Sequence, residues 1–185
     1  MKNALKTLLL KSTWVFTALL LCFAALGQTT DKEKKLVKDS EDALKEFKKT
    51  DGSMQALFQS AAGYVVFPNV GKGAVGIGGA AGGGIVYEKG AIVGKAQLSQ
   101  LTIGFQAGGQ AYRELLFFEN KDALDRFKND KVEFSAQASA VAVTAGASAN
   151  AKYTNGIMIF TEQKGGLMYE ASVGGQKFDY TSFSK

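Results

Sequence analysis

Gly71, Gly73 and Gly76 follow the apolar run Tyr64 to Phe67 in a G-x-G-x-x-G arrangement. In dinucleotide-binding proteins that spacing brings backbone amides against a pyrophosphate seated on a helix N-terminus. Here the glycines simply continue through Gly78, Gly79, Gly82, Gly83 and Gly84. Each would cost roughly 1 kcal/mol relative to alanine inside a helix, so no helix begins where the phosphate would need one. The segment is expected to be strand, turn or close backbone contact. A Walker-type phosphate loop fails as well, because Lys72 is followed by Gly73 where that loop needs Ser or Thr.

Other chemistry is limited by what the chain lacks. There is no histidine, and the single cysteine, Cys22, lies in the N-terminal leader. After removal of that leader the chain has no thiolate nucleophile, no His-assisted serine, no disulfide and no zinc site of ordinary ligands. The general acid/base candidates in the strand region are Glu114 beside Arg113, Glu133, Glu162, Glu170 and Asp179. Alternating strands routinely place acids on solvated faces, and spacing pairs no two of these. The expectation is a non-catalytic protein without cofactor or metal. The cations are more informative. Lys72 stands among small residues with little to pack against, so its amine is expected to reach solvent, where exposed backbone N–H groups could help it meet an anion. Lys34, Lys35 and Lys38 are candidates by charge and position.

The ordered motifs resemble the SYLF domain family. Ala61-Ala62-Gly63 leads into Tyr64-Val65-Val66-Phe67-Pro68, then Val70-x-Lys72-Gly73, then Gly76-x-Gly78-Gly79-x-x-Gly82. A second block runs from Thr102 through Gly108-Gly109-Gln110 to Leu115-Leu116-Phe117-Phe118, and an alanine-rich third covers Ser135 to Ala151. Val173 to Tyr180 matches the expected closing motif only loosely. The resemblance implies a lipid-binding module for phosphoinositides or acidic phospholipids, with actin binding in eukaryotic members. It singles out Lys72 and the glycine-rich motif Phe67, Pro68, Gly71, Gly73, Gly76, Gly78 and Gly79.

These motifs must be positioned by the rest of the 185 residues, a length that suits one domain behind a leader. Lys2, Lys6 and Lys11 precede an apolar run from Thr13 to Leu26, too short for a spanning helix, and Ala25-Leu26-Gly27 supplies small residues for a signal peptidase. Residues 1–27 therefore read as a signal peptide cleaved after Gly27, with a lipoprotein anchored at Cys22 as the competing reading. Residues 28–185 read as one domain, helical over 28–60 and sheet over 61–185. Cleavage removes three lysines and no acid, lowering the formal charge from +5 to +2, and a nucleic-acid role loses its support.

Asp31 to Lys49 repeats Leu36, Val37, Ser40, Ala43, Leu44 and Phe47 at helical spacing. The stripe either packs on the sheet or leaves the helix on a membrane surface with its lysines over lipid phosphates. Thr50-Asp51-Gly52 breaks it, and Ser53 is placed to cap a short second helix. From Tyr64 the period becomes 2, and Asn120 is placed to cap a further helix carrying Ala123, Leu124 and Phe127. Val132 to Lys152 is read as strand, and Ile157 to Thr161 with Leu167 to Val173 as a hairpin. The predicted architecture is α+β: N-terminal helices on a strongly curved, mostly antiparallel Gly/Ala-rich β-sheet or partial barrel, with one short helix near 120–129.

The functional expectation is a module on anionic phospholipid membrane surfaces, exported to the periplasm or outside the cell. The alternative is an envelope structural module whose small-residue strands pack against a protein partner or another copy. Actin does not suit an exported protein.

Overall fold

The computed structural model describes residues 31–75, 77–103, 110–129, 139–164, 171–172 and 175–183; within these, side chains at 72–75, 77–78, 101–103, 110, 139 and 171–172 are excluded. The chain divides into two compact units, Met1–Val37 and Lys38–Lys185. The described part of the first, residues 31–37, is helical.

The second unit is a mixed α+β fold. Helix α1 spans 31–50, and its part in this unit buries Ser40, Ala43 and Phe47. Helix α2 is Met54–Ser60. Strands β1 (Gly63–Val75), β2 (Ile77–Glu88) and β3 (Ala91–Ile103) form an antiparallel meander. Then follow β4 (Gln110–Phe118), α3 (Lys121–Asn129), β5 (Ser139–Ala142), a 3-10 turn at Ala147–Asn150, β6 (Ile157–Gln163), β7 (Ala171–Ser172) and β8 (Gln176–Ser182). The sheet order is β7-β5-β6-β4-β1-β2-β3-β8. The glycine run is extended, as its composition requires. β2 turns into β3 through Lys89 and Gly90, both at positive φ (51° and 79°), the conformation of a two-residue hairpin that suits right-twisted strands.

Pro68 sits inside the central strand, where its missing N–H would break a ladder. The register absorbs it: β1 shifts against β4 between Phe67 and Val70, and against β2 between Val66 and Gly71. This bulge moves the inward set from Val65 and Phe67 to Val70.

Both faces of the sheet are covered. On the inner face Phe67, Leu116, Phe118, Ile159 and Phe178 pack with Ala123, Leu124 and Phe127 of α3. Asn120 caps α3, its Oδ1 accepting the Ala123 N–H at 3.0 Å. On the outer face Phe58 of α2 meets Tyr64 and Phe117 edge-on, and Tyr64 stacks on Tyr87 at 4.8 Å. Burying large side chains of this kind contributes about 1.5–3 kcal/mol each. Thr50 at the end of α1 also reaches the outer face, donating to Glu162 at 2.7 Å. Helices 38–60 are therefore docked on the sheet.

Three expectations need correction. Ser53 stands at the start of α2 but makes no capping bond; its hydroxyl is drawn instead to the Asp51 carboxylate. The final hairpin is not formed by the described residues. β7 pairs antiparallel with β5, and β5 lies parallel to β6, Val141 facing Phe160. A parallel neighbour needs a long crossover, supplied here by residues 143–156. Of the expected strand 132–152, only Ser139–Ala142 is strand; residues 143–152 hold a turn and the 3-10 segment, and 132–138 lie outside the described residues.

Candidate functional site

Phe67 and Gly79 of the glycine-rich motif are packed within the sheet. Phe67 is fully buried on the inner face, 5.6 Å from the Phe178 ring. Gly84 makes room for it: a Cβ there would meet Phe67 Cδ1 at 2.6 Å and the Val66 carbonyl at 2.7 Å. Gly79 lies against the Gln100 carbonyl, whereas Gly71 has open space around it and is exposed. Pro68 occupies the bulge, Gly73 and Gly78 are ladder residues facing Gly79 and Ala74, and Gly76 lies outside the described residues. Lys72 is placed by its backbone alone, opposite Ala80 on β2 and Gln110 on β4.

Lys34, Lys35 and Lys38 are all exposed on α1. Lys34 and Lys35 fall in the first unit and Lys38 in the second, with Lys72 on β1. Further along α1, Lys45 pairs with Asp42 at 2.8 Å, and Lys48 lies over the Phe58 ring at 4.5 Å.

A second cluster, on the inner face, was missed as a site. Tyr112 and Glu114 of β4, Thr161 of β6, and Gln100 and Gln176 of β3 and β8 are all buried. The Gln176 amide Nε2 donates to Glu114 Oε2 at 3.0 Å and lies 3.3 Å from Tyr112 Oη. Among the described residues, Glu114 Oε1, Thr161 Oγ1 and Gln176 Oε1 have no hydrogen-bond partner. Glu114 faces Thr161 across the β4–β6 ladder. Burial pushes the Glu114 carboxyl up to about 8, against a weaker downward pull from the Gln176 amide, so it is neutral at neutral pH. Tyr112 is also raised by burial, and further by Glu114. The expectation of a solvated face thus fails for Glu114. Its parity was the available signal, because Tyr112, Leu116 and Phe118 lie two and four residues away and all point inward. Glu162 does lie on the other face, held by Arg113 at 2.7 Å and Thr50.

Chemically, a lone buried carboxyl beside an amide and two hydroxyls can exchange a proton and hold strands together. Among the described residues no group of three or more His, Cys, Asp or Glu is placed to hold a metal.

Comparison with known proteins bears on this arrangement. Residues 99–181 match the family described as Las17-binding protein actin regulator. Over these residues the chain is similar to the SYLF family. The SYLF match runs from the end of β3 to β8, taking in the Tyr112–Glu114–Thr161–Gln176 cluster and the second and third sequence blocks. The first glycine block lies upstream of it. SYLF domains are a family of binding modules, associated with lipids or actin-regulatory partners, rather than of catalysts. The chain is also 29% identical over 129 residues to Beta cell expansion factor A of Aeromonas veronii, covering 68% of this chain and 48% of that protein. It thus spans about half the length of this curated relative.

Proposed function

We propose that this chain is a non-catalytic SYLF-type module that associates with anionic phospholipid headgroups at a membrane surface. The observation that carries the reading is the SYLF match, to a family of lipid- and partner-binding modules. It is joined by a helix that exposes Lys34, Lys35 and Lys38. Each lysine close to an anionic surface contributes about 1 kcal/mol, so three or four give weak, salt-sensitive binding. Lys72, next to the exposed Gly71 on β1, is the fourth contributor. If residues 1–27 act as the signal peptide read from the sequence, or as a lipoprotein leader modified at Cys22, the module would work outside the cytoplasm, and envelope phospholipid would be its anionic surface.

Co-sedimentation of the protein with phosphatidylcholine vesicles carrying increasing phosphatidylglycerol tests this directly. Binding is expected to rise with the anionic fraction and to fall with salt. The triple substitution Lys34→Gln, Lys35→Gln, Lys38→Gln is expected to weaken it by about 3 kcal/mol, roughly a hundredfold. Equal binding to neutral and anionic vesicles would remove the electrostatic mechanism. No vesicle binding together with a stable oligomer would favour the packing-module alternative.

A further inference from the structure

The bonds made by Gln176 join two strands that are not neighbours. β8 is the last strand in the sheet order, and its ladder runs along β3, from Gly94 facing Ser182 to Gln100 facing Gln176. β4 lies four places away, beyond β3, β2 and β1. Even so, the Gln176 amide reaches Glu114 and Tyr112 on β4. The sheet is therefore curled so far that its edge strand lies over its centre, and these side-chain contacts span the inner face at that end. Phe178, one inward position further along β8, supports the same closure through its ring contacts with Phe67 and Phe127.

The closure hinges on a carboxyl with little help. Glu114 is fully buried, and among the described residues the Gln176 amide is the partner of Oε2 while Oε1 has none. The groups facing it are Phe67 from β1, Thr161 from β6, Gln176 from β8 and, on its own strand, Tyr112. Tyr112 is the titratable one among them, and it is a further potential anion. Arg113, the adjacent cation in the chain, turns to the opposite face and pairs with Glu162. An ionised carboxylate here would be a buried charge with one neutral hydrogen bond, which folded proteins avoid by taking up a proton or by opening the site to water.

We propose that Glu114 is a proton-operated clasp, whose neutral carboxyl holds β8 over β4 through Gln176 and whose ionisation releases β8 from the inner face. Release would leave the ladder with β3 as the only strand pairing of β8 among the described residues, and would expose the Phe67–Phe178 contact. The direction follows from burial, which raises the folded carboxyl's pKa from 4.5 to about 8. The closed form is complete on the acid side and is lost as pH rises through the folded value.

Amide hydrogen exchange of the full chain, corrected for the chemical exchange rate, tests the clasp. Between about pH 6 and about pH 9.5, β8 amides are expected to lose protection by about tenfold or more, with a smaller change in β1 and α3. Glu114→Gln, which keeps an acceptor but cannot ionise, is expected to keep β8 protected at both pH values. Gln176→Leu is expected to leave β8 poorly protected even at the lower pH. An apolar dye should report the same opening, binding the wild type on the alkaline side and Glu114→Gln at neither pH. Unchanged β8 protection in the wild type would overturn the proposal, as would an equal loss in Glu114→Gln or a loss spread evenly over the whole sheet.

Discussion

Asp51, in the connector between α1 and α2, and Glu114, on the inner face of the sheet, are both buried carboxyls, and they end in opposite states. Burial pushes each of them up. At Asp51 that push is outweighed by the Ser53 hydroxyl, by the Ser148 amide at 2.7 Å and by the Ser53 amide at 3.0 Å, so its carboxyl lies below the usual aspartate range. The Gly146 amide, 3.2 Å away, adds a further donor. At Glu114 one neutral amide stands against full desolvation, and the carboxyl keeps its proton. The charge state of each acid is thus set by the balance between desolvation, which is heavier at Glu114, and N–H and O–H donors, which are more numerous at Asp51. This balance also separates two jobs. Asp51 is a permanent tie between the helical connector and the loop at 146–148, whereas Glu114 is a tie that depends on pH.

The largest expected effect is on the Glu114 side. Because its folded pKa lies above the unfolded value of 4.5, the fold is fully stabilised below about 4.5, loses stability as pH rises and levels off above about 8. The loss is at most about 5 kcal/mol by linkage, and Glu114→Gln should flatten it in urea denaturation measured across that range. On the Asp51 side, Asp51→Ala leaves the buried Ser148 amide and its neighbours without an acceptor. It is expected to cost about 3 kcal/mol at neutral pH. Asp51 contributes its stability above the ordinary value of 3.8 and loses it as pH falls below that, so Asp51→Asn should blunt the acid limb while sparing the alkaline one.

Smaller changes probe the frame that holds the two acids. Gly84→Ala forces a methyl group against the Phe67 ring and the Val66 carbonyl, and is expected to cost about 2 kcal/mol in thermal unfolding. Lys128→Met breaks the half-buried pair that Lys128 makes with Glu88 at 2.5 Å and is expected to cost about 1 kcal/mol, with no change in either pH limb. A shifted alkaline limb in Lys128→Met would show that Glu114 senses charges beyond its own cluster.

What the sequence made legible is what local rules control. Glycine density in Gly71 to Gly84 excluded a helix, Asn120 announced α3, and the spacing of Ala43 and Phe47 gave the buried side of α1. What stayed hidden depends on partners distant in the chain. Asp51 is tied to Ser148 and Glu114 to Gln176, contacts 97 and 62 residues apart that no spacing announces. Ser53 was read as a cap because a local bond was the only one visible, yet the Asp51 carboxylate claims its hydroxyl. The β5–β6 pairing was missed for a related reason: a parallel neighbour reached by a crossover mimics, in sequence, a hairpin with the next strand. Glu114 was the readable exception, since its inward parity with Leu116 and Phe118 was present in the alternation and was set aside only because acids on strands are usually solvated.

The most direct test is a side-chain carboxyl carbon titration by NMR, following Glu114 and Asp51 in the same intact protein. Glu114 is expected to titrate near 8 and Asp51 below 3.8, with β8 resonances moving together with Glu114. A Glu114 midpoint near 4.5, or an Asp51 midpoint above 3.8, would contradict that expectation.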